Sequence, residues 1–90
     1  MTSTIWKTQL TIEDEQEVYV PAGAEMLWAS VQNGHFCVWY RCDSTAPKER
    51  RRIRIVGTGH PISDEPWQHI GSCFANSAGS LVFHLFELKP

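Results

Sequence analysis

Asn33-Gly34 separates two runs of strand-forming residues, Met26 to Gln32 and His35 to Cys42, and restricts the fold more than any other feature of the chain. An Asn-Gly pair accepts positive φ at both central positions of a type I′ turn, whose twist matches that of the strands it joins. A two-residue turn also sets a register. With Gln32 opposite His35, Val31 faces Phe36, Ala29 faces Val38 and Leu27 faces Tyr40. These pairs make one apolar face, which we assign to the core. The other face pairs Gln32 with His35, Ser30 with Cys37, Trp28 with Trp39 and Met26 with Arg41, and reads as a contact surface.

The rest of the chain is also β in character. Ile5 to Ile12 alternates and ends at an acidic turn, Glu13-Asp14-Glu15. Val18-Tyr19-Val20 is a short strand stopped by Pro21-Ala22-Gly23. After a polar loop from Asp43 to Lys48, Arg51 to Val56 is a strand with Ile53 and Ile55 inward and Arg52 and Arg54 outward. Two Gly and two Pro make Gly57 to Pro66 a loop. Gln68 to Ala75 is a strand in which Gly71 marks a bulge or a close backbone approach. Asn76-Ser77-Ala78-Gly79 turns the chain into Leu81 to Leu88, which is apolar on both faces and so is central or lies at an oligomer contact. Seven short strands predict an all-β fold, a small antiparallel sandwich or barrel, with residues 1–90 as a single β domain.

Composition narrows the function classes. A net charge of −2 is unlike a duplex-DNA binder, and no apolar run approaches a membrane span. Three cysteines without a CxxC pair argue against a secreted disulfide scaffold and for a cytoplasmic protein with reduced thiols. Four Trp, four Phe and two Tyr suit interfaces and ring-stacking pockets.

Against this acidic background, five of the eight basic residues fall between Lys48 and Arg54. Arginine donates two hydrogen bonds from a planar fork and is suited to phosphate. Arg52 and Arg54, about 6–7 Å apart along a strand, match adjacent phosphates or carboxylates. The alternatives are an edge strand kept soluble by charge, or pairing with the acidic Glu13–Glu17 segment. Gly57, Thr58, Gly59 and His60 follow at once, and their backbone N–H groups can approach an anion, although no P-loop lysine follows. The bland reading is a turn whose glycines supply positive φ. Trp39 or Trp67 would stack on a base; the competing role for Trp28 and Trp39 is as packing or oligomer contact. His35 and Cys37 share a face, but no ligand pair has zinc spacing, so no metal or other cofactor is expected. A His60 pairing with Asp64 or Glu65 is the only acid–base candidate, and no nucleophile motif accompanies it, so no enzyme is expected.

Four segments resemble a family of small tailed-phage and prophage proteins of unknown function. They are Thr4-Ile5-Trp6-Lys7; Val31-Gln32-Asn33-Gly34 with Cys37 and Trp39; Ile53-Arg54-Ile55-Val56-Gly57-Thr58-Gly59-His60-Pro61-Ile62; and His69-Ile70-Gly71-Ser72 followed by Leu81-Val82-Phe83-His84. Arg51, Arg52, Trp28, His35, Phe36 and Tyr40 depart from the pattern. The resemblance implies a phage origin and a compact β protein acting in the host cytoplasm. Its genomic setting points to countering host defence. The sharpest expectation is a sponge: Arg52, Arg54 and the Gly57–His60 loop hold the phosphates of a nucleotide signal. The alternatives are an inhibitor of a host defence protein, of anti-CRISPR type or otherwise, docking an acidic surface, and a minor virion component. A homo-oligomer is expected from the mixed hairpin and last-strand faces.

Overall fold

The structure, a computed structural model, describes residues 2–75 and 81–90. The turn expected at residues 76–79 lies outside them. Among the described residues seven strands form two antiparallel sheets. The strands are β1 (Ser3–Gln9), β2 (Glu15–Pro21), β3 (Glu25–Gln32), β4 (His35–Asp43), β5 (Lys48–Gly57), β6 (Gln68–Phe74) and β7 (Val82–Leu88). One sheet has the order β1-β4-β3 and the other β2-β5-β7-β6. The expected all-β sandwich is therefore the fold.

The hairpin turn is as read: Asn33 has φ 53° and Gly34 φ 81°, and Gln32 pairs with His35. The register holds through Trp28–Trp39 and then slips. Leu27 is bulged out and exposed, so Met26, not Leu27, stands opposite Tyr40, and Glu25 opposite Arg41. This corrects the expected Leu27–Tyr40 and Met26–Arg41 pairs. The bulge lets β3 bend where it meets β6.

The acidic turn is shorter than expected, because Glu15 already opens β2 and pairs with Arg54. As expected, β2 stops at Pro21-Ala22-Gly23: Pro21 is its last residue, still in the ladder opposite Lys48, and Gly23 turns the chain at φ 81°. A proline is tolerated there because β2 is an edge strand. The β7 strand is central, flanked by β5 and β6, which accounts for its two apolar faces. The β5 strand is also central, so its charge does not serve to protect an edge.

The core lies between the sheets. Val18, Val20, Ile53, Ile55 and Leu85 from one sheet meet Ala29, Val38, Tyr40 and Cys42 from the other. Phe36 and Phe83 touch edge to face across the gap, with centroids 5.5 Å apart. All three cysteines are free; Cys37 and Cys42 are buried, and burial pushes the half-buried Cys73 thiol up.

The sandwich is closed on one side, where β3 and β6 run edge against edge. Gly71 makes this seam possible, since a Cβ at that position would lie 3.2 Å from the backbone nitrogen of Ala29. Both readings of Gly71 hold, because the β6–β7 register also shifts between His69 and Gly71.

The alternation that turns Arg52 and Arg54 outward turns Arg51 inward, where it is 1% exposed. All three of its guanidinium nitrogens donate. Nη1 donates to Glu87 Oε1 at 2.6 Å, Nη2 to the Ala24 carbonyl at 2.8 Å, and Nε and Nη2 to Glu49 Oε1 at 3.0 and 2.8 Å. Four hydrogen bonds offset the desolvation that burying this cation entails.

Candidate functional site

The outward residues of β5 and their cross-strand neighbours define the outer face of the four-stranded sheet. Glu15, Arg54, Phe86 and His69 form one row across β2, β5, β7 and β6. Glu17, Arg52 and Leu88 form the next, and Val56, His84 and Ser72 lie on the other side. Phe86 thus sits at the centre, with the His69 ring 5.2 Å away and tilted by 56°.

The arginines of the basic run have different partners. Arg50 meets Glu17 at 3.3 Å, and Arg52 meets Glu15 at 3.1 Å and Glu65 at 2.9 Å. Pairing with the acidic segment, one of the alternatives read from the sequence, therefore accounts for these two. Glu65 and then Glu15 raise the Arg52 pKa, and Arg52 and then Ser63 hold the Glu65 carboxyl below its usual range. Much of the Arg52 charge is therefore already satisfied. Arg54 differs: Nη2 donates to the Pro61 carbonyl at 3.3 Å, and no carboxylate pairs with it among the described residues. It lines a cleft of about 160 Å³ with His60, Pro61, Val56 and Asp14.

The loop after β5 folds back onto this face. The His60 N–H closes a turn onto the Gly57 carbonyl at 3.0 Å. A Cβ on Gly57 would meet the His60 ring at 3.1 Å, so glycine there lets the imidazole lie against the strand. Gly59, at φ 88°, supplies the positive φ of the turn, whereas Gly57 has none. Further along, Trp67 stacks over Arg52 with the guanidinium 5.2 Å from the ring, and its indole N–H donates to Ser63. Glu65 is committed to Arg52 and Ser63, which takes it out of the acid–base pair considered with His60.

A polar chain that the sequence reading missed crosses the same face. Thr58 Oγ1 lies 2.8 Å from His84 Nε2, His84 Nδ1 2.6 Å from Ser72 Oγ, and Ser72 Oγ 3.0 Å from His69 Nε2. The Thr58 hydroxyl points to the Val82 carbonyl at 3.4 Å, an acceptor only. With a neutral His84 ring, the matching proton assignment has His84 Nε2–H donating to Thr58 and His84 Nδ1 accepting from Ser72, which accepts from His69. The sequence signal for it was the period-two spacing that turns both Ser72 and His84 outward, visible only once β6 and β7 are known to pair.

Of the expected site residues, the structure brings together Arg52, Arg54, Gly57, Thr58, Gly59, His60 and Trp67. Trp39 is not among them. It lies on the outer face of the other sheet, stacked on Trp28 at 5.1 Å, and the thickness of the sandwich separates it from Arg54. Phe86 occupies the place in this array that was assigned to Trp39.

Fold and site together define a small two-sheet antiparallel β sandwich with one outer face built from arginine, histidine and aromatic rings. The chain belongs to the family described as a domain of unknown function, DUF7352, which it matches over residues 1–90. No curated protein and no solved structure matches it.

Proposed function

We propose that the outer face of the β2-β5-β7-β6 sheet holds a phosphate-bearing, nucleotide-type ligand, and that the protein acts by sequestering it. The observation that supports this most is Arg54, whose guanidinium lines a cleft beside His60 without a carboxylate partner among the described residues. A phosphate there would receive a charge-assisted fork from Arg54 and a hydrogen bond from His60. Phe86 on β7 and Trp67, in the loop before β6 and over Arg52, supply ring faces on the same side, and base stacking contributes about 1–3 kcal/mol per base. The resemblance of the four segments to phage proteins supports a setting in which the captured nucleotide is a host defence signal.

Thermal unfolding against a panel of linear and cyclic nucleotides tests this. At 100 times its dissociation constant, a ligand of the native state adds about 2.7 kcal/mol, roughly 10–20 °C for a domain of this size. Arg54→Ala is expected to abolish the shift, while Arg50→Ala, removed from the cleft and already paired with Glu17, keeps it. A panel without any shift would overturn the proposal.

A second reading rests on the outer face of the three-stranded sheet. There Trp28, 57% exposed, stacks on Trp39 beside the exposed Leu27 and Arg41. Tryptophan and arginine are common anchors of protein interfaces, so this face fits an inhibitor that docks a host protein. A stoichiometric partner recovered from host lysate by the native protein and lost with Trp28→Ala would favour it.

A further inference from the structure

We propose that the free edge of β1 pairs with β1 of a second copy of this chain, giving a continuous six-stranded sheet in a symmetric dimer. The argument starts from which backbone groups are unused. The Leu10 N–H donates to the Phe36 carbonyl at 2.8 Å, and this bond continues the β1–β4 register. Antiparallel pairs alternate between hydrogen-bonded and non-hydrogen-bonded. Thr8, Trp6 and Thr4 are therefore bonded to β4, and the N–H and C=O groups of Ser3, Ile5, Lys7 and Gln9 point away from it. All four residues are exposed.

The other edges are better defended than this one. The β2 edge carries Pro21, Glu15 and Glu17, and β3 and β6 each carry a bulge and lie against one another. Prolines, charges, bulges and cover are the usual devices against edge pairing. β1 is regular over seven residues, with a single charge, Lys7, and no proline.

The strand is also complementary to itself in one register. With Trp6 on the two-fold axis, Ile5 pairs with the partner's Lys7 and Ser3 with the partner's Gln9, and all the outward groups are used. Thr4 then faces the partner's Thr8, and the two Trp6 rings meet. Sliding by one pair in one direction sets Lys7 against the partner's Lys7, a repulsive pairing. Sliding in the other direction sets Ile5 against the partner's Ile5 and Lys7 against the partner's Ser3, and carries Gln9 past the described residues. The dimer would be isologous, as closed two-fold assemblies are.

Light scattering on the purified protein tests this with two variants. The native chain is expected at twice its 10.3 kDa mass. Ile5→Pro removes an N–H that the monomer does not use, so it is expected at the single-chain mass with an unchanged far-ultraviolet spectrum. Trp6→Cys places two thiols at a non-hydrogen-bonded pair about 4.5 Å apart in Cα, within disulfide range, and should give a covalent dimer on oxidation. A monomeric native chain, a dimeric Ile5→Pro, or no cross-link through Cys at position 6 would each overturn the proposal.

Discussion

Arg51→Ala is expected to destabilise the protein by about 3–5 kcal/mol, the range for removing one partner of a buried ion pair. The variant leaves Glu87, itself 4% exposed, with an uncompensated carboxylate inside the sandwich and frees the Ala24 carbonyl. A 90-residue chain has roughly 5–13 kcal/mol to lose, so the change removes a large share of the total. Urea unfolding followed by tryptophan fluorescence reads it directly. Arg50→Ala is the control: its pair with Glu17 is about half exposed on both sides, and its loss is expected to cost under about 1 kcal/mol. The double variant Arg51→Met with Glu87→Leu should recover much of the stability, because the cost lies in the orphaned charge rather than in lost attraction. If Arg51→Ala unfolds at the same urea concentration as the native protein, the buried network does not hold the sheets as described.

Gly71→Val is the second large effect. Its Cβ would press on the Ala29 backbone nitrogen at 3.2 Å and on the Ala29 Cβ at 3.4 Å. Neither can withdraw, because Ala29 is held in the β3–β4 ladder and is itself 1% exposed. Overpacking of this kind costs about 1–3 kcal/mol, and the branched side chain adds methyl groups to the same gap. Loss of stability should come with faster hydrogen exchange along β3 and β6, where the seam opens, more than along β1. Gly71→Ala is expected to do the same to a smaller extent. Substitution at Gly71 without loss of stability would show that the two edges are not closed upon one another.

Much of this molecule was legible in particular short stretches. Asn33-Gly34 determined its hairpin because two adjacent residues with positive φ leave the chain few other conformations. Alternation placed Ile53 and Ile55 inside and Arg52 and Arg54 outside, since the side-chain period of a strand is fixed by its backbone. The two apolar faces of β7 left a central strand or an oligomer contact open, and the strand is central. The Arg52, Arg54 and Gly57–His60 array was found because its members lie close together in the chain.

What depends on partners distant in sequence was not legible. Alternation alone puts Arg51 inward, but only the sheet pairing supplies Glu87, the Ala24 carbonyl and Glu49, without which a buried guanidinium is untenable. The bulge at Leu27 shows only in the pairing of β3 with β4, and no local residue signals it. Trp39 and Trp67 look interchangeable as stacking residues in sequence, yet the order of strands puts them on different sheets' outer faces, and that order is chosen by which arrangement buries the core. The chain by itself determined its strands, its main turn and the direction of most side chains, because these are set by torsions and by a two-residue period. Only the tertiary structure decided which charges neutralise one another, leaving Arg54 beside an open cleft, because Coulomb and hydrogen-bond partners are selected by distance in space.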